Sequence, residues 1–338
     1  MKRVTTSPHV HSSMDIRKSM LYVFIALLPS AIWGVVVFGL MALVTLALSI
    51  ASAVLTEYLL SKVTKEEVTI NDMSAAVTGL LIGMNMPPHV PFYIPVLASV
   101  FAIIVVKWSF GGLGCNWMNP ALGGRVFVFF SFTSAMSAFS LPRFAADAAS
   151  SATPLSSVKT LLSNGEVFTS ASEMSGYSVM DAFIGNIPGC IGEVSALLLI
   201  AGGLFLIYTK VMTWHIPVSY IGSFAFLTWV FSGLRCGQGF FIPMNDLLMA
   251  LFTGGLMLGA IFMATDWVTT PTTPVGMIVF GIGCGFFTFL IRYFGSLPEG
   301  VSLAIILMNV ATPTIERYIK PKKFGYVKPV KAPKEAKK

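Results

Sequence analysis

Long runs of apolar residues are the strongest constraint on how this sequence can fold. Ten such runs occur, with boundaries defined to within several residues. They lie near 20–39, 40–60, 72–86, 91–109, 120–140, 191–210, 215–233, 245–263, 274–294 and 299–317. A bilayer core of about 30 Å needs roughly 20 apolar residues per helix, and 55% of the 338 residues are hydrophobic whereas 11% are charged. The sequence therefore predicts an all-α integral membrane protein with about ten transmembrane helices.

Positive charge is concentrated at the two ends of the chain. The basic residues outside the first and last runs are Lys2, Arg3, Arg17, Lys18, Arg317, Lys320, Lys322, Lys323, Lys328, Lys331, Lys334, Lys337 and Lys338. Because cytoplasmic flanks of membrane helices are enriched in Lys and Arg, both termini are predicted to be cytoplasmic. The net charge of +7 thus reflects membrane topology and does not indicate nucleic-acid binding.

Two halves of the sequence resemble each other. The similar pairs are "AAVTGLLIGMNMPP" from Ala75 and "ALFTGGLMLGAIFM" from Ala250, "VKWSFGGLG" from Val106 and "IRYFGSLPEG" from Ile291, and "MNPA" at Met118 and "MNVATP" at Met308. Five crossings in each half would invert the second copy relative to the first, and inverted repeats often hold a ligand near their interface. The pattern predicts two inverted five-helix repeats, an architecture that urea-type channels also use.

The resulting organisation has five parts. Residues 1–19 form a cytoplasmic leader, 20–140 the first repeat, 141–190 an external loop, 191–317 the second repeat and 318–338 a basic cytoplasmic tail. Three segments rich in Pro, Gly or Thr interrupt the runs: "MNMPPHVPFY", "GGLGCNWMNPALGG" and "MATDWVTTPTTP". Each is either irregular backbone facing protein or a polar cavity, or an ordinary turn at the bilayer surface.

Several kinds of chemistry lack the residues they need. The cysteines are Cys115, Cys190, Cys236 and Cys284, and the histidines are His9, His11, His89 and His215. No Cys-x-x-Cys pair and no His pair at i, i+4 occurs among them, so local spacing predicts neither an iron–sulfur cluster nor a metal site. No phosphate-binding glycine motif occurs either. The sequence predicts no catalytic residue.

The external loop contains one distinctive stretch, "DAASSATPLSSVK", beginning at Asp147. Small residues surround Thr153, and Pro154 favours an extended backbone at Thr153. On these grounds alone the stretch is either an ordinary Ser/Ala-rich loop or a modification site. The spacing of Asp147, Ser150, Ala152 and Thr153 resembles the pattern D-x-x-[ST]-G-A-T, with Ser151 in place of the glycine.

That pattern is typical of the family that contains RnfD of the Rnf complexes and the corresponding membrane protein of the sodium-pumping NADH:quinone reductase. Other stretches resemble the same family: "SPHVHSSMDIRKSMLYVFIALLPS" from Ser7, "NPALGGRVF" from Asn119, "FMATDWVTTPTTP" from Phe262 and "MNVATPTIERY" from Met308. The similarity covers nearly the whole chain. The Rnf branch is the nearer resemblance, because the sequence lacks the longer leader that is expected of the quinone reductase branch.

The resemblance implies a function and its cofactors. A membrane flavin transferase would attach FMN to Thr153 through a phosphoester, and a second, non-covalent riboflavin would bind within the membrane. With the other Rnf subunits, the chain would couple electron transfer between ferredoxin and NAD to Na⁺ or H⁺ movement across a bacterial cytoplasmic membrane. The alternatives are a urea-type solute channel and a scaffold protein without a cofactor.

Four further residues are candidates for sites within the membrane. Asn116, Asn119 and Arg125 are candidates for the second flavin, although Asn119 could instead cap a helix and Arg125 could reach the cytoplasmic surface. Asp266 is a candidate contact for Na⁺ in transit, with an oxygen of Thr269 or Thr270, or alternatively a helix cap. Glu57 and Glu193 lie near predicted helix ends, where solvated side chains are expected.

Overall fold

A computed structural model of the chain describes residues 14–65, 69–143, 153–164, 176–236, 239–297 and 299–320, with only the backbone of 161–164 and 234–236. The described residues form helices and connecting turns, with no strand among them. The helices are α1 (Ile16–Phe38), α2 (Leu40–Thr64), α3 (Ser74–Met84), α4 (Tyr93–Phe101), α5 (Pro120–Ser131), α6 (Thr133–Met136), α7 (Pro154–Asn164), α8 (Val179–Ile184), α9 (Ala196–Tyr208), α10 (His215–Cys236), α11 (Met244–Phe252), α12 (Leu256–Leu258), α13 (Pro274–Phe294) and α14 (Val301–Tyr318). Helix α4 continues as a π-helix over Ala102–Lys107 and a 3-10 turn over Trp108–Phe110, and α12 continues as a π-helix over Gly259–Met263.

Five helical segments in the described part are long and apolar enough to cross a membrane. They are Ile16–Phe38, Leu40–Thr64, Tyr93–Phe110, His215–Gly233 and Pro274–Phe294. A sixth is a bent pair, Met244–Phe252 with Leu256–Met263, whose halves differ in direction by 62°. This confirms the expected multi-pass helical protein. The structure does not confirm ten full spans, and the count of ten stays a prediction.

Three of the predicted spans contain only short apolar helices. Ser74–Met84 has 11 residues, Pro120–Ser131 has 12 and Ala196–Tyr208 has 13. At 1.5 Å per residue none reaches across a 30 Å hydrocarbon core. The ends of such helices must find polar partners inside the protein, because lipid offers none.

Small residues allow the closest helix packing in the molecule. Gly281 and Gly285 lie one turn apart on α13 and face α10, where a β-carbon on Gly285 would overlap Ser223 Oγ and lie 2.8 Å from Tyr220 O. Glycines four residues apart commonly form such contact faces between membrane helices. The contact is reinforced by a 2.7 Å hydrogen bond between Tyr220 Oη and Thr288 Oγ1.

The connections between helices are also held inside the fold. After α3 ends, the amides of Ile191 and Gly192 donate to the carbonyls of Met86 (3.1 Å) and Met84 (2.7 Å). The bend between α11 and α12 uses Gly254 and Gly255, whose φ angles of 67° and 66° suit glycine. The two hydrogen bonds hold the loop before α9 against the end of α3.

One ion pair joins α2, α3 and the π-helical end of α4. Lys107 Nζ donates to both carboxylate oxygens of Glu57 (2.9 and 2.8 Å) and to Ser74 Oγ (2.7 Å). Lys107 is 3% exposed and Glu57 is 0% exposed. The expectation that Glu57 is solvated is therefore wrong, because its helix end packs against two neighbours and its charge is balanced by a lysine distant in sequence.

We predict that Lys107→Met destabilises the protein by about 3–5 kcal/mol, because it leaves a buried carboxylate without its cation. The measurement is thermal unfolding of the purified protein in detergent. Lys62→Met is the matched control, since Lys62 lies over the Tyr58 ring and pairs with no buried carboxylate in the described residues. The double variant Lys107→Met, Glu57→Gln should recover part of the loss. Equal melting of Lys107→Met and the parent would contradict the prediction.

Candidate functional site

The N-terminus of α5 is fixed by Asn119. Its Oδ1 accepts hydrogen bonds from the amides of Ala121 (2.9 Å) and Leu122 (3.4 Å), and Pro120 occupies the first helical position. Cap residues of this kind satisfy amides that have no partner within the helix. The other end of the same side chain, Nδ2, donates to the carbonyl of Met263 at 3.1 Å. Asn119 therefore caps α5 and binds the end of the π-helix that continues α12.

Asp266 lies in the turn that follows the π-helix Gly259–Met263. Its Oδ2 accepts hydrogen bonds from Thr269 Oγ1 (3.2 Å) and Asn116 Nδ2 (3.4 Å), and its carbonyl accepts from Thr270 Oγ1 (2.8 Å). The cap of the next helix, α13, is Thr273. Asp266 thus stabilises the turn and connects it to the interrupted segment before α5.

The two interrupted segments line one cavity together with α1, α3 and α9. The volume of the cavity is about 280 Å³, close to the lower end of the range of roughly 300–1,000 Å³ for small-molecule pockets. Its walls are mainly apolar, and its polar lining residues are Ser19, Ser74, Thr78, Lys107, Asn116, Asn119, Thr265 and Asp266. We call it the amide cavity. These two segments therefore face a cavity, as irregular backbone within a membrane protein requires.

Arg125 lies six residues after Asn119 on α5 and faces a different environment. Its guanidinium donates to Asn85 Oδ1 and Ser302 Oγ, both at 2.9 Å, and to the carboxylates of Glu193 (3.4 Å) and Glu299. The side chain is 7% exposed. Arg125 does not line the amide cavity and does not reach a surface, because two buried or half-buried carboxylates hold it inside.

Arg125, Glu193 and Glu299 form a group that we call the charged cluster. Glu193 is 6% exposed, so the expectation that its carboxylate is solvated is wrong. Suitable ligand atoms of Cys190, Glu193 and Glu299 lie within 4.8 Å of one another. Arg292 is held nearby by the carbonyls of Ala250 (2.7 Å), Thr253 (3.1 Å) and Gly254 (2.9 Å) at the end of α11.

Thr153 lies beside the charged cluster. It is 8% exposed, precedes α7, and lines a cavity of about 10 Å³ whose other lining residues include Glu193, Thr253, Gly254 and Glu299. Its Oγ1 accepts a hydrogen bond from the amide of Ser156 (3.2 Å) and lies 3.1 Å from Ser156 Oγ. The threonine is therefore adjacent to buried charges that the sequence did not connect with it.

The structure divides the predicted site residues into two groups. Asn116, Asn119 and Asp266 share the amide cavity, whereas Arg125 and Thr153 lie at the charged cluster. The motif residues Asp147, Ser150, Ser151 and Ala152 lie outside the described residues.

Sequence reasoning did not assign a role to Lys107, Glu193, Glu299 or Arg292. The available signal was a charged residue within or beside an apolar run, which is a functional candidate by default. Their partners were not predictable, because they lie far apart in the chain.

The sequence matches the family described as "NQR2, RnfD, RnfE family" over residues 3–325. The chain belongs to that family. The helical architecture described above is therefore that of a member of the NQR2, RnfD, RnfE family.

Named relatives of the chain cover nearly its full length. It is 42% identical over 327 residues to the D subunit of the "Na(+)-translocating ferredoxin:NAD(+) oxidoreductase complex" of Acetobacterium woodii, covering 96% of each chain. It is 43% identical to the D subunit of the "Proton-translocating ferredoxin:NAD(+) oxidoreductase complex" of Clostridium ljungdahlii, covering 95% of this chain and 96% of the relative. It is 36% identical to the D subunit of the "Ion-translocating oxidoreductase complex" of Stutzerimonas stutzeri, covering 94% and 93%.

We predict that Asn119→Ala lowers stability by about 2–4 kcal/mol, the sum of a lost helix cap and an unpaired buried carbonyl at Met263. Asn119→Ser should lose less, because its hydroxyl keeps the cap and only the contact with the Met263 carbonyl is lost. Thermal unfolding in detergent ranks the two variants against the parent. Equal losses in both variants would show that the cap contributes nothing.

Proposed function

We propose that this chain is the flavin-bearing RnfD membrane protein of an Rnf-type complex, which couples electron transfer between ferredoxin and NAD to Na⁺ or H⁺ translocation. The observation that carries the proposal is the similarity of the chain, over almost its entire length, to relatives named as D subunits of Na⁺- and proton-translocating ferredoxin:NAD(+) oxidoreductase complexes. Ferredoxin and NAD would bind other subunits. The complex would lie in a bacterial cytoplasmic membrane, with both termini of this chain in the cytoplasm and the Thr153 loop outside.

The described contacts support the proposed inverted repeats. Aligning "VKWSFGGLG" with "IRYFGSLPEG" pairs Lys107 with Arg292, and both are buried cations, 3% and 4% exposed. Lys107 binds Ser74 at the start of α3, while Arg292 binds the end of α11. Corresponding cations would thus hold short or broken helices in both halves, which suits a ten-helix, urea-transporter-like arrangement.

Thr153 is the proposed attachment point for FMN. Its hydroxyl is the group that a phosphoester requires, and Pro154 and α7 follow directly. The cavity beside Thr153, of about 10 Å³, is at the lower limit of roughly 10–15 Å³ that a single water molecule needs. In this position the threonine therefore has no room for an attached phosphate.

The amide cavity is the proposed site of the second flavin. Asn116 and Asn119 place side-chain amides at a largely apolar cavity, and Asp266 adds a hydrogen-bond acceptor beside them. Such a combination can bind the face of a planar ring and pair with its polar edge. A bound flavin would supply two-electron and one-electron transfer. Arg125 is directed at the charged cluster and has no part in this proposed site.

Asp266 is also the proposed contact for a translocated Na⁺. Its carboxylate lies with the hydroxyl oxygens of Thr269 and Thr270 in one turn, and hard cations prefer oxygen ligands of this kind. The turn lies at the amide cavity, so an ion held there would be close to the second cofactor.

We predict that the peptide containing Thr153 carries an FMN-sized mass increment in cells that contain the flavin transferase. Thr153→Ala should abolish the increment and the flavin fluorescence of the denatured band, while Thr160→Ala, on exposed Thr160 of the same helix, should keep both. Mass spectrometry and in-gel fluorescence are the measurements. An unmodified parent peptide would favour the channel or cofactor-free scaffold alternatives.

We predict that Asp266→Ala reduces Na⁺ uptake by the complex more than it reduces flavin content, because the carboxylate is the charged ligand in the turn. Asp15→Ala is the control, since Asp15 is an exposed helix cap. Uptake into vesicles and extractable flavin are measured on the same preparations. Undiminished Na⁺ uptake by Asp266→Ala would remove Asp266 from the ion pathway.

A further inference from the structure

Thr153 combines two properties that conflict with its proposed modification. The residue is 8% exposed, and its hydroxyl is engaged at the start of α7. Ser156 N donates to Thr153 Oγ1 at 3.2 Å, and Ser156 Oγ donates to the Thr153 carbonyl at 2.8 Å. A hydroxyl in this position serves as a helix cap, and it cannot at the same time approach a bulky phosphorus centre.

Helix α7 is held in this position by contacts along one side. Leu155 packs on Gly254, where an added β-carbon would overlap Leu155 Cδ1. Val158 packs against the small buried cluster of Tyr177, Ala182, Ile187 and Met249. Lys159 Nζ donates to the carbonyls of Arg292 (3.0 Å) and Gly295 at the end of α13. Thr153 is therefore buried because α7 as a whole is docked.

We propose that docked α7 is a latch that shields Thr153, and that the flavin transferase acts only on the chain with α7 released. This inference rests on the proposed flavin attachment at Thr153 and adds its regulation. The flavin transferase would therefore recognise Thr153 only when α7 is released. The fraction of time that α7 spends released would limit the rate of modification.

The chemistry explains why release is needed. Thr153 Oγ forms a bond to the phosphorus of the FMN half of a flavin dinucleotide, and the bond from that phosphorus to the bridging oxygen breaks. The nucleoside monophosphate leaves with the electron pair, and the threonine proton passes to a base of the transferase or to water. No electron is gained or lost. The attack requires an accessible lone pair on Oγ, which the docked cap does not offer.

Weakening the docking contacts should therefore accelerate modification. A change of about 1–2 kcal/mol in docking corresponds to a factor of roughly 5–30 in the released population. When opening and closing are fast relative to modification, the initial rate follows this population, as it does for other reactions of locally opened segments.

The test uses the full-length protein, purified without attached flavin, with limiting transferase and a flavin dinucleotide. Leu155→Ala and Lys159→Met remove one docking contact each and leave Thr153 and Pro154 in place. Leu204→Ala and Lys62→Met are matched controls at an exposed apolar position and at a lysine of α2 that lies over the Tyr58 ring. Initial rates are read from in-gel flavin fluorescence, and release of α7 from hydrogen exchange of its amides.

We expect each docking variant to exchange α7 amides faster and to gain flavin about 5–30 times faster than the parent, with both controls unchanged. Faster exchange without faster modification would overturn the inference while leaving the attachment site intact. So would unchanged exchange in the double variant Leu155→Ala, Lys159→Met, because other contacts would then hold α7. Absence of flavin on Thr153 in the parent and in all variants would instead overturn the proposed function and, with it, the latch.

Discussion

The buried guanidinium of Arg125 holds together the interior of this protein. A cation taken out of water is tolerated only when its donors are paired, and Arg125 finds its four partners on three separate parts of the chain. Asn85, Glu193, Ser302 and Glu299 lie 40, 68, 177 and 174 residues away in sequence. Helix α3 can therefore end inside the protein, because the residue after its last turn faces this centre.

Polar contacts continue from Arg125 toward the amide cavity. Asn85 Nδ2 lies 3.7 Å from Met263 Sδ, and Asn119 Nδ2 binds the Met263 carbonyl at 3.1 Å. Six residues separate Asn119 from Arg125 on α5, a rise of about 9 Å along the helix axis. Helix α5 and its cap thus place the Asn119 amide at the amide cavity and the Arg125 guanidinium in the charged cluster beside Thr153. A displacement of α5 would alter both sites together.

The sequence was informative where the deciding interactions are local. The cap formed by Asn119 follows from an Asn–Pro pair at a helix start, and the contact between Asp266 and Thr269 spans three residues. The same reasoning misplaced Glu57 and Glu193, because proximity to a helix end does not show what packs over that end. Their partners, Lys107 and Arg125, lie 50 and 68 residues away, and pairings at that separation follow only from the assembled fold. The short lengths of α3, α5 and α9 were hidden for a related reason, since apolar turns extend the hydrophobic runs beyond the helices.

Cations at helix ends explain why α7 can be both docked and releasable. The last carbonyls of a helix lack partners within it and carry partial negative charge. At the end of α11 these carbonyls are bound by Arg292, which belongs to the body of the protein. At the end of α13 they are bound by Lys159, which α7 supplies. Gly295 is exposed, so water can replace the lysine there when α7 departs. Release therefore exposes the apolar contacts of Leu155 and Val158, while the Gly295 carbonyl that Lys159 leaves can be hydrated.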